Sequence, residues 1–173
     1  MKVIPKEVAR IVRVDHAGEF GAISIYNAQL LVAKFLYRDI TVQLKEMLSH
    51  EIEHFETFDC WLKEHKVRHC YAIWFWSLGG YCLGLITALF GRKAIWVCTE
   101  AVESTVLHHL EWQLSYLEKN NKSAYQAVLS IQKDEREHQN LGKVNGSSSL
   151  YYSPIRLVVK HSTKFAIWLS TKL

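Results

Sequence analysis

Residues 51–54 read Glu51-Ile52-Glu53-His54, and residues 135–138 read Glu135-Arg136-Glu137-His138. These are the only two Glu-x-x-His sequences in the 173-residue chain. Each has a glutamate upstream at the same distance: Glu19 precedes Glu51 by 32 residues, and Glu103 precedes Glu135 by 32. An offset of 84 maps the whole first set onto the second. The same offset carries Ile11 to Ile95, Gln29 to Gln113, Leu30 to Leu114 and Glu53 to Glu137. With 13 glutamates and nine histidines present, two Glu-x-x-His sequences alone are unsurprising. The matched upstream glutamate is what makes them a repeat.

On an α-helix, residues three apart share a face. Each Glu-x-x-His therefore offers one carboxylate and one imidazole to a single point. A partner helix centred about 32 residues away, after one turn, runs antiparallel and brings its glutamate level with that point. Done twice, this gives four helices presenting Glu19, Glu51 with His54, Glu103, and Glu135 with His138. That is the ligand arrangement of ferritin-like di-iron and di-manganese bundles. Four carboxylates cannot share a dry core unless they are protonated or meet cations. Two divalent ions supply four positive charges and balance them. A carboxylate and imidazole set without thiolate suits iron or manganese and excludes a zinc–thiolate site. A single Glu or His on a bundle helix is ordinarily a solvated surface group; six in two matched sets are not.

Working outward, residues 6–37 read as a long helix, with Val8, Ile11, Val12, Phe20, Ile23, Leu30, Leu31 and Phe35 at helical spacing. Gly18 and Gly21 weaken it locally and permit close packing. A second helix covers about 40–66, and two more cover 94–119 and 122–140, parted at Asn120-Asn121. The stretch from Gly142 to Ser149 reads as a Gly/Ser/Asn loop. The two prolines, Pro5 and Pro154, lie near the ends and leave the interior helices unbroken by that route. The fold class is thus all-α: a ferritin-like four-helix bundle with two additional helices, in one domain over 1–173. Its internal repeat covers 11–66 and 95–140.

Those additional helices are membrane candidates. Cys70 to Gly91, CYAIWFWSLGGYCLGLITALFG, carries no charge over 22 residues, which meets the usual length test for a span. It contains Gly79, Gly80 and Gly84, and basic residues flank both sides, so no orientation follows. We read it as an element docking into one leaflet, with a span and a buried helix as alternatives. Residues 154–171 set Arg156, Lys160 and Lys164 among Ile155, Leu157, Val158, Phe165, Ile167, Trp168 and Leu169. This basic amphipathic pattern fits either a membrane-surface helix or a solvent-edge helix of the bundle.

Composition narrows the function classes. Net charge is +4 and no dense basic face is visible, which disfavours nucleic acid. The four cysteines, Cys60, Cys70, Cys82 and Cys98, form no CxxC pair and no iron–sulfur set. They read as reduced, mostly buried thiols in a reducing compartment. The start, Met1-Lys2-Val3-Ile4-Pro5, is not a secretory signal, and no Arg/Ser-rich transit segment follows, so the chain reads as bacterial or already processed.

At these residues the chain resembles a known family. Val14-Asp15-His16-Ala17-Gly18-Glu19-Phe20-Gly21-Ala22, with Ile25-Tyr26 and Gln29, is similar to the first ligand helix of the demethoxyubiquinone hydroxylases. Glu51-Ile52-Glu53-His54-Phe55, Ala101-Val102-Glu103, His108-His109 and Asp134-Glu135-Arg136-Glu137-His138 match its other motifs in order and spacing. The ending Ala166-Ile167-Trp168-Leu169-Ser170 resembles the family's C-terminus, so the likeness covers nearly the whole chain. It implies a ferritin-like di-iron monooxygenase that hydroxylates the ring of a demethoxyubiquinone with dioxygen and two electrons. By motif, Glu19, Glu51, Glu103 and Glu135 would be the carboxylate ligands, and His54 and His138 the imidazole ligands. His109 would be an outer or proton-handling residue, with a hydrogen-bonded core histidine as the plainer reading. Asp134 would orient a ligand imidazole, or else lie on the helix surface. In one departure, Leu110 stands where the family often has tyrosine after the paired histidines. Its repeat mate is Tyr26, which could substitute.

The resemblance also implies a peripheral membrane protein that takes a polyprenyl quinone. It would sit on the cytoplasmic face of a bacterial membrane, or on the matrix face of the mitochondrial inner membrane if organellar. Expected partners are membrane lipid, a reductase or other ubiquinone-biosynthesis proteins, and further copies of the chain. No GxGxxG motif is present. Electrons then come from NADH bound some other way, from a reductase, or from reduced quinone. The other functions compatible with the six residues are quinol oxidation, iron oxidation or storage, and hydroxylation of another substrate such as tRNA. A metal-free membrane interaction protein is the non-enzymatic alternative.

Overall fold

A computed structural model describes residues 4–146 and 150–173. The order is α1 (Lys6–Leu36), a short 3-10 turn at Arg38–Ile40, α2 (Thr41–Glu64), α3 (Ile73–Leu89), α4 (Arg92–Asn120), α5 (Lys122–Asn145), a second 3-10 turn at Leu150–Tyr152, and α6 (Ser153–Ser170). No strand occurs among the described residues. The chain is all-α, as its periodicity predicts. The first residues, Met1 to Val3, and Ser147 to Ser149 of the expected loop lie outside the described residues.

Local chemistry marks the breaks. Asn121 is extended (φ −161°), and its side chain accepts a hydrogen bond from the Ala124 amide, capping α5. Gly91 adopts φ +111°, a conformation that favours glycine, and turns the chain from α3 into α4. Pro154 sits in the first turn of α6, where its missing N–H costs nothing.

Helices α1 and α2 form one antiparallel hairpin and α4 and α5 another, and the two pair into the four-helix bundle. The bundle core has two parts. At one end Val8, Ile11 and Val12 of α1 meet Phe58, Trp61 and Leu62 of α2, Leu110 and Leu117 of α4, and Val128 and Ile131 of α5. At the other end Tyr26, Leu30 and Ala33 meet Leu44, Met47, Ile95 and Trp96. Each large apolar side chain buried here contributes roughly 1.5–3 kcal/mol. Between the two plugs lies one polar layer, and all six duplicated residues fall in it.

The two remaining helices complete the repeat. Helix α3 runs along α1, and α6 packs on α4. The four-helix bundle and its two additional helices thus group as two three-helix units, α1–α3 and α4–α6. Contact between α1 and α3 is close. A Cβ on Gly80 would collide with the Gly21 backbone, and one on Gly84 with the Ile25 backbone. The hydroxyls of Ser24 and Ser77 lie 2.8 Å apart across the same crossing. On the other unit, Arg156 of α6 donates to Glu100 of α4 at 2.8 Å.

Some expectations are corrected. Gly142 does not open a loop: α5 continues to Asn145. Gly142 lies against the backbone of Glu100 and Trp96, so its missing side chain serves a close helix approach. Cys60 and Cys82 are exposed, against the expectation of mostly buried thiols; Cys70 and Cys98 are buried. Residues 70–91 yield a helix of only 17 residues, about 25 Å long, against a hydrocarbon core of about 30 Å. Among the described residues no helix is long and apolar enough to cross a membrane.

Candidate metal centre

Glu19 comes from α1, Glu51 and His54 from α2, Glu103 from α4, and Glu135 and His138 from α5. All six are at most 5% exposed. Their donor atoms converge in two overlapping groups. Glu19, Glu51, His54 and Glu135 form one, and Glu51, Glu103, Glu135 and His138 the other. Within each group the donor atoms lie within 4.8 Å of one another. Glu51 and Glu135 are common to both.

The electrostatics of this layer are unfavourable without cations. Burial, and then the neighbouring carboxylates, push Glu51 and Glu103 well above the usual carboxylate range. Burial also raises Glu19. For Glu135 burial acts upward too, but His54 and Glu103 beside it win and hold it down. Burial alone would lower His54; the adjoining Glu135 and Glu19 carboxylates overcome this and push it up to about 11. For His138 burial outweighs the pull of the nearby Glu135 carboxylate and pushes the imidazole down to about 4.

Four buried atoms in the layer make no hydrogen bond: Glu51 Oε1, His54 Nδ1, Glu135 Oε2 and His138 Nδ1. Unsatisfied buried donors and acceptors of this kind ask for a missing partner. His54 Nδ1 is 3.2 Å from Glu135, and His138 Nδ1 is 3.1 Å from Glu51. The donor set, all carboxylate and imidazole, fits a pair of divalent cations of the iron or manganese kind.

The surrounding residues are placed as follows. Asp134 Oδ2 lies 3.2 Å from His54 Nε2. The Tyr26 hydroxyl donates to Glu103 Oε1 at 2.9 Å. Leu110 is buried in the apolar plug. His109 is not gathered into the layer. It accepts a hydrogen bond from Trp112 Nε1 on its Nδ1 (3.1 Å), and its Nε2 is buried without a partner. Burial keeps its imidazole at about 4, hence neutral near pH 7. One close residue escapes the sequence analysis: His50, whose Nδ1 lies 3.0 Å from His138 Nε2.

A cavity of about 460 Å³ reaches this layer. Glu19, Glu51, Glu103 and Glu135 stand at its inner end, and His109 on its wall. The rest is largely apolar, drawn from α1, α3, α4 and α6, and includes Ile25, Leu83, Val102 and Phe165. Phe75, Ile86 and Val158 line it and are exposed, so the cavity extends to the outer face of α3 and α6. An apolar cleft with a few polar groups at one end is the usual form of a small-molecule site.

The chain is similar in sequence to known proteins. Residues 6–170 match the family described as "Ubiquinone biosynthesis protein COQ7". The chain is 35% identical over 170 residues to a Dictyostelium discoideum protein named NADPH-dependent 3-demethoxyubiquinone 3-hydroxylase, mitochondrial, covering 96% of this chain and 77% of that one. It is 32% identical to the 3-demethoxyubiquinol 3-hydroxylase of Rhodospirillum rubrum, over 96% and 78% of the two chains. The human protein named NADPH-dependent 3-demethoxyubiquinone 3-hydroxylase, mitochondrial, is 30% identical over the same shares.

Proposed function

The chain belongs to the COQ7 family of ubiquinone biosynthesis proteins, and from that premise we propose that it hydroxylates the ring of a demethoxyubiquinone or demethoxyubiquinol. The observation that carries this reading is the meeting of Glu19, Glu51, His54, Glu103, Glu135 and His138 at the inner end of an apolar cavity. These six residues would hold two iron ions, Glu51 and Glu135 being common to both donor groups. The iron pair, when bound, supplies the activation of dioxygen.

The reaction replaces a ring hydrogen by hydroxyl. Dioxygen takes two electrons and two protons, and its second oxygen leaves as water. A reduced nicotinamide is the electron source on this reading. The protein binds and orients the ring, and excludes water from it. The apolar plugs above and below the ligand layer keep that layer dry, which strengthens every charge interaction there. The cavity between α3 and α6 takes the ring and the first part of its polyprenyl tail. Trp112 occupies His109 Nδ1 as an acceptor, so the neutral ring carries its proton on Nε2. His109 lines the cavity and this N–H has no partner within the protein, so it is the donor we assign to a ring oxygen of the substrate. Iron storage needs a hydrated path for ions, and the path here is apolar.

The protein is also a peripheral membrane protein on this reading. Trp74, Phe75, Leu78 and Leu89 of α3 and Leu157, Val158, Phe165 and Trp168 of α6 are exposed. Lys160 and Lys164 lie among the α6 residues. The cavity opens on the same side, so a bilayer-soluble substrate enters without crossing water. The host membrane is the bacterial cell membrane or, in an organelle, the mitochondrial inner membrane.

The test is anaerobic loading with ferrous iron, followed by dioxygen, reductant and a demethoxyquinone analogue. Two irons per chain and a product heavier by one oxygen atom are expected. Glu103→Ala should hold fewer than two irons and form no product. Unloaded wild-type protein, or full activity with normal iron in that variant, would sink the assignment.

A further inference from the structure

The duplicated cage is not symmetric in what surrounds it. Both ligand imidazoles turn Nδ1 toward the carboxylates and Nε2 outward. Outside His54 stands a carboxylate, Asp134, 3.2 Å from Nε2. Outside His138 stands another imidazole, His50, with its Nδ1 3.0 Å from Nε2 and the two ring planes within 9° of parallel. The offset of 84 residues that relates the two halves carries His50 onto Asp134. The two outer partners therefore fill the same place with different chemistry.

We propose that the two metal positions are unequal. The Glu19–His54 position binds a divalent cation more tightly than the Glu103–His138 position, with His50 as the positioning residue that weakens the second. This rests on the metal reading above. An imidazole that gives Nδ1 to a cation keeps its proton on Nε2 and donates it outward. A carboxylate acceptor draws that proton strongly and makes the ring a better ligand; a neutral imidazole draws it less. A second, independent contact acts in the same direction. The Tyr26 phenol donates to Glu103 Oε1 at 2.9 Å and so takes up part of that carboxylate's donor capacity. The offset puts Leu110 in the corresponding place for Glu19, and Leu110 offers no donor. Glu51 and Glu135 belong to both groups and favour neither.

Repulsion between two cations would itself spread the binding over two steps. The exchange of outer partners is what discriminates. The full chain is titrated anaerobically with Co²⁺, following the visible absorption of the bound ion and counting ions by dialysis. Glu19→Gln is expected to lose the tight step and Glu103→Gln to keep it. His50→Asp should tighten the second step by about tenfold, and Asp134→His should weaken the first by a similar factor. Helix content by circular dichroism shows that each variant is folded; one that is not is replaced by His50→Gln, which keeps an acceptor and should lie between His50 and Asp. Unchanged constants in His50→Asp would overturn the proposal, as would a tight ion that survives in Glu19→Gln and vanishes in Glu103→Gln. Wild-type chain that takes up no Co²⁺ would overturn the metal reading itself, and the ranking with it.

Discussion

At the scale of single residues, the six cage groups differ from the groups around them in how they announce themselves. Glu51 with His54, and Glu135 with His138, are legible because a spacing of three is a statement about direction on a helix. Glu19 and Glu103 follow once a hairpin is assumed. His109 is a harder case. Its sequence neighbourhood does not say that Trp112 fixes its tautomer or that Nε2 is left buried without a partner in a residue lining the cavity. His109→Phe removes the N–H proposed to reach the substrate. Loss of one neutral hydrogen bond, about 0.5–1.5 kcal/mol, should lower kcat/KM by about three- to tenfold with iron content unchanged. His109→Gln keeps a donor and should recover most of it. Steady-state kinetics beside iron analysis would show this, and a drop in iron in His109→Phe would count against the role. His50 was within reach of the same offset that relates the ligands. It was missed because its counterpart, Asp134, is a different kind of side chain, and matching by identity passes over such pairs.

At the scale of helices, glycine was the residue hardest to read. Gly142 stands before Asn145, Gly146 and three serines, and the composition there is that of a loop. The helix continues because Gly142 meets the α4 backbone, a reason that no local pattern carries. The same holds for Gly80 and Gly84, where α1 and α3 approach backbone to backbone. Gly84→Ala pushes a methyl group into the Ile25 backbone, which cannot yield as a side chain would. It should cost about 1–3 kcal/mol and lower Tm. Gly79 is the control, since a Cβ there meets nothing within 4 Å; Gly79→Ala should raise helix stability by roughly 0.5–1 kcal/mol. Opposite signs for the two variants in thermal melts are the expected result. Equal effects would mean that the crossing is looser than it is drawn. The pairing of α3 with α1 and of α6 with α4 was also hidden: neither added helix carries a ligand, so neither is marked by the repeat of ligands.

At the scale of the whole molecule, the outer side formed by α3 and α6 joins exposed aromatic residues to the mouth of the cavity. Trp74 and Leu78 do not line the cavity, so their replacement tests the surface alone. The double variant Trp74→Asp, Leu78→Asp should sediment at least tenfold less with vesicles containing anionic lipid. It should retain its iron and its turnover of a short-tailed, water-soluble analogue. Lys164→Glu should weaken vesicle binding chiefly at low salt, because screening already removes its contribution at high salt. Equal sedimentation of all three proteins would exclude this side as the lipid contact.

The turn at Gly91 separates the two three-helix units, and it also divides the cage evenly. Glu19, Glu51 and His54 precede it; Glu103, Glu135 and His138 follow. A chain severed there gives two fragments, each with half of a coordination sphere and one exposed bundle face. Neither fragment alone can close the cage, whereas both together should reassemble when co-expressed, with metal acting as the clasp. Iron recovered only in the mixed pair would mark the centre as a joint between halves, something each half possesses only in the other's company.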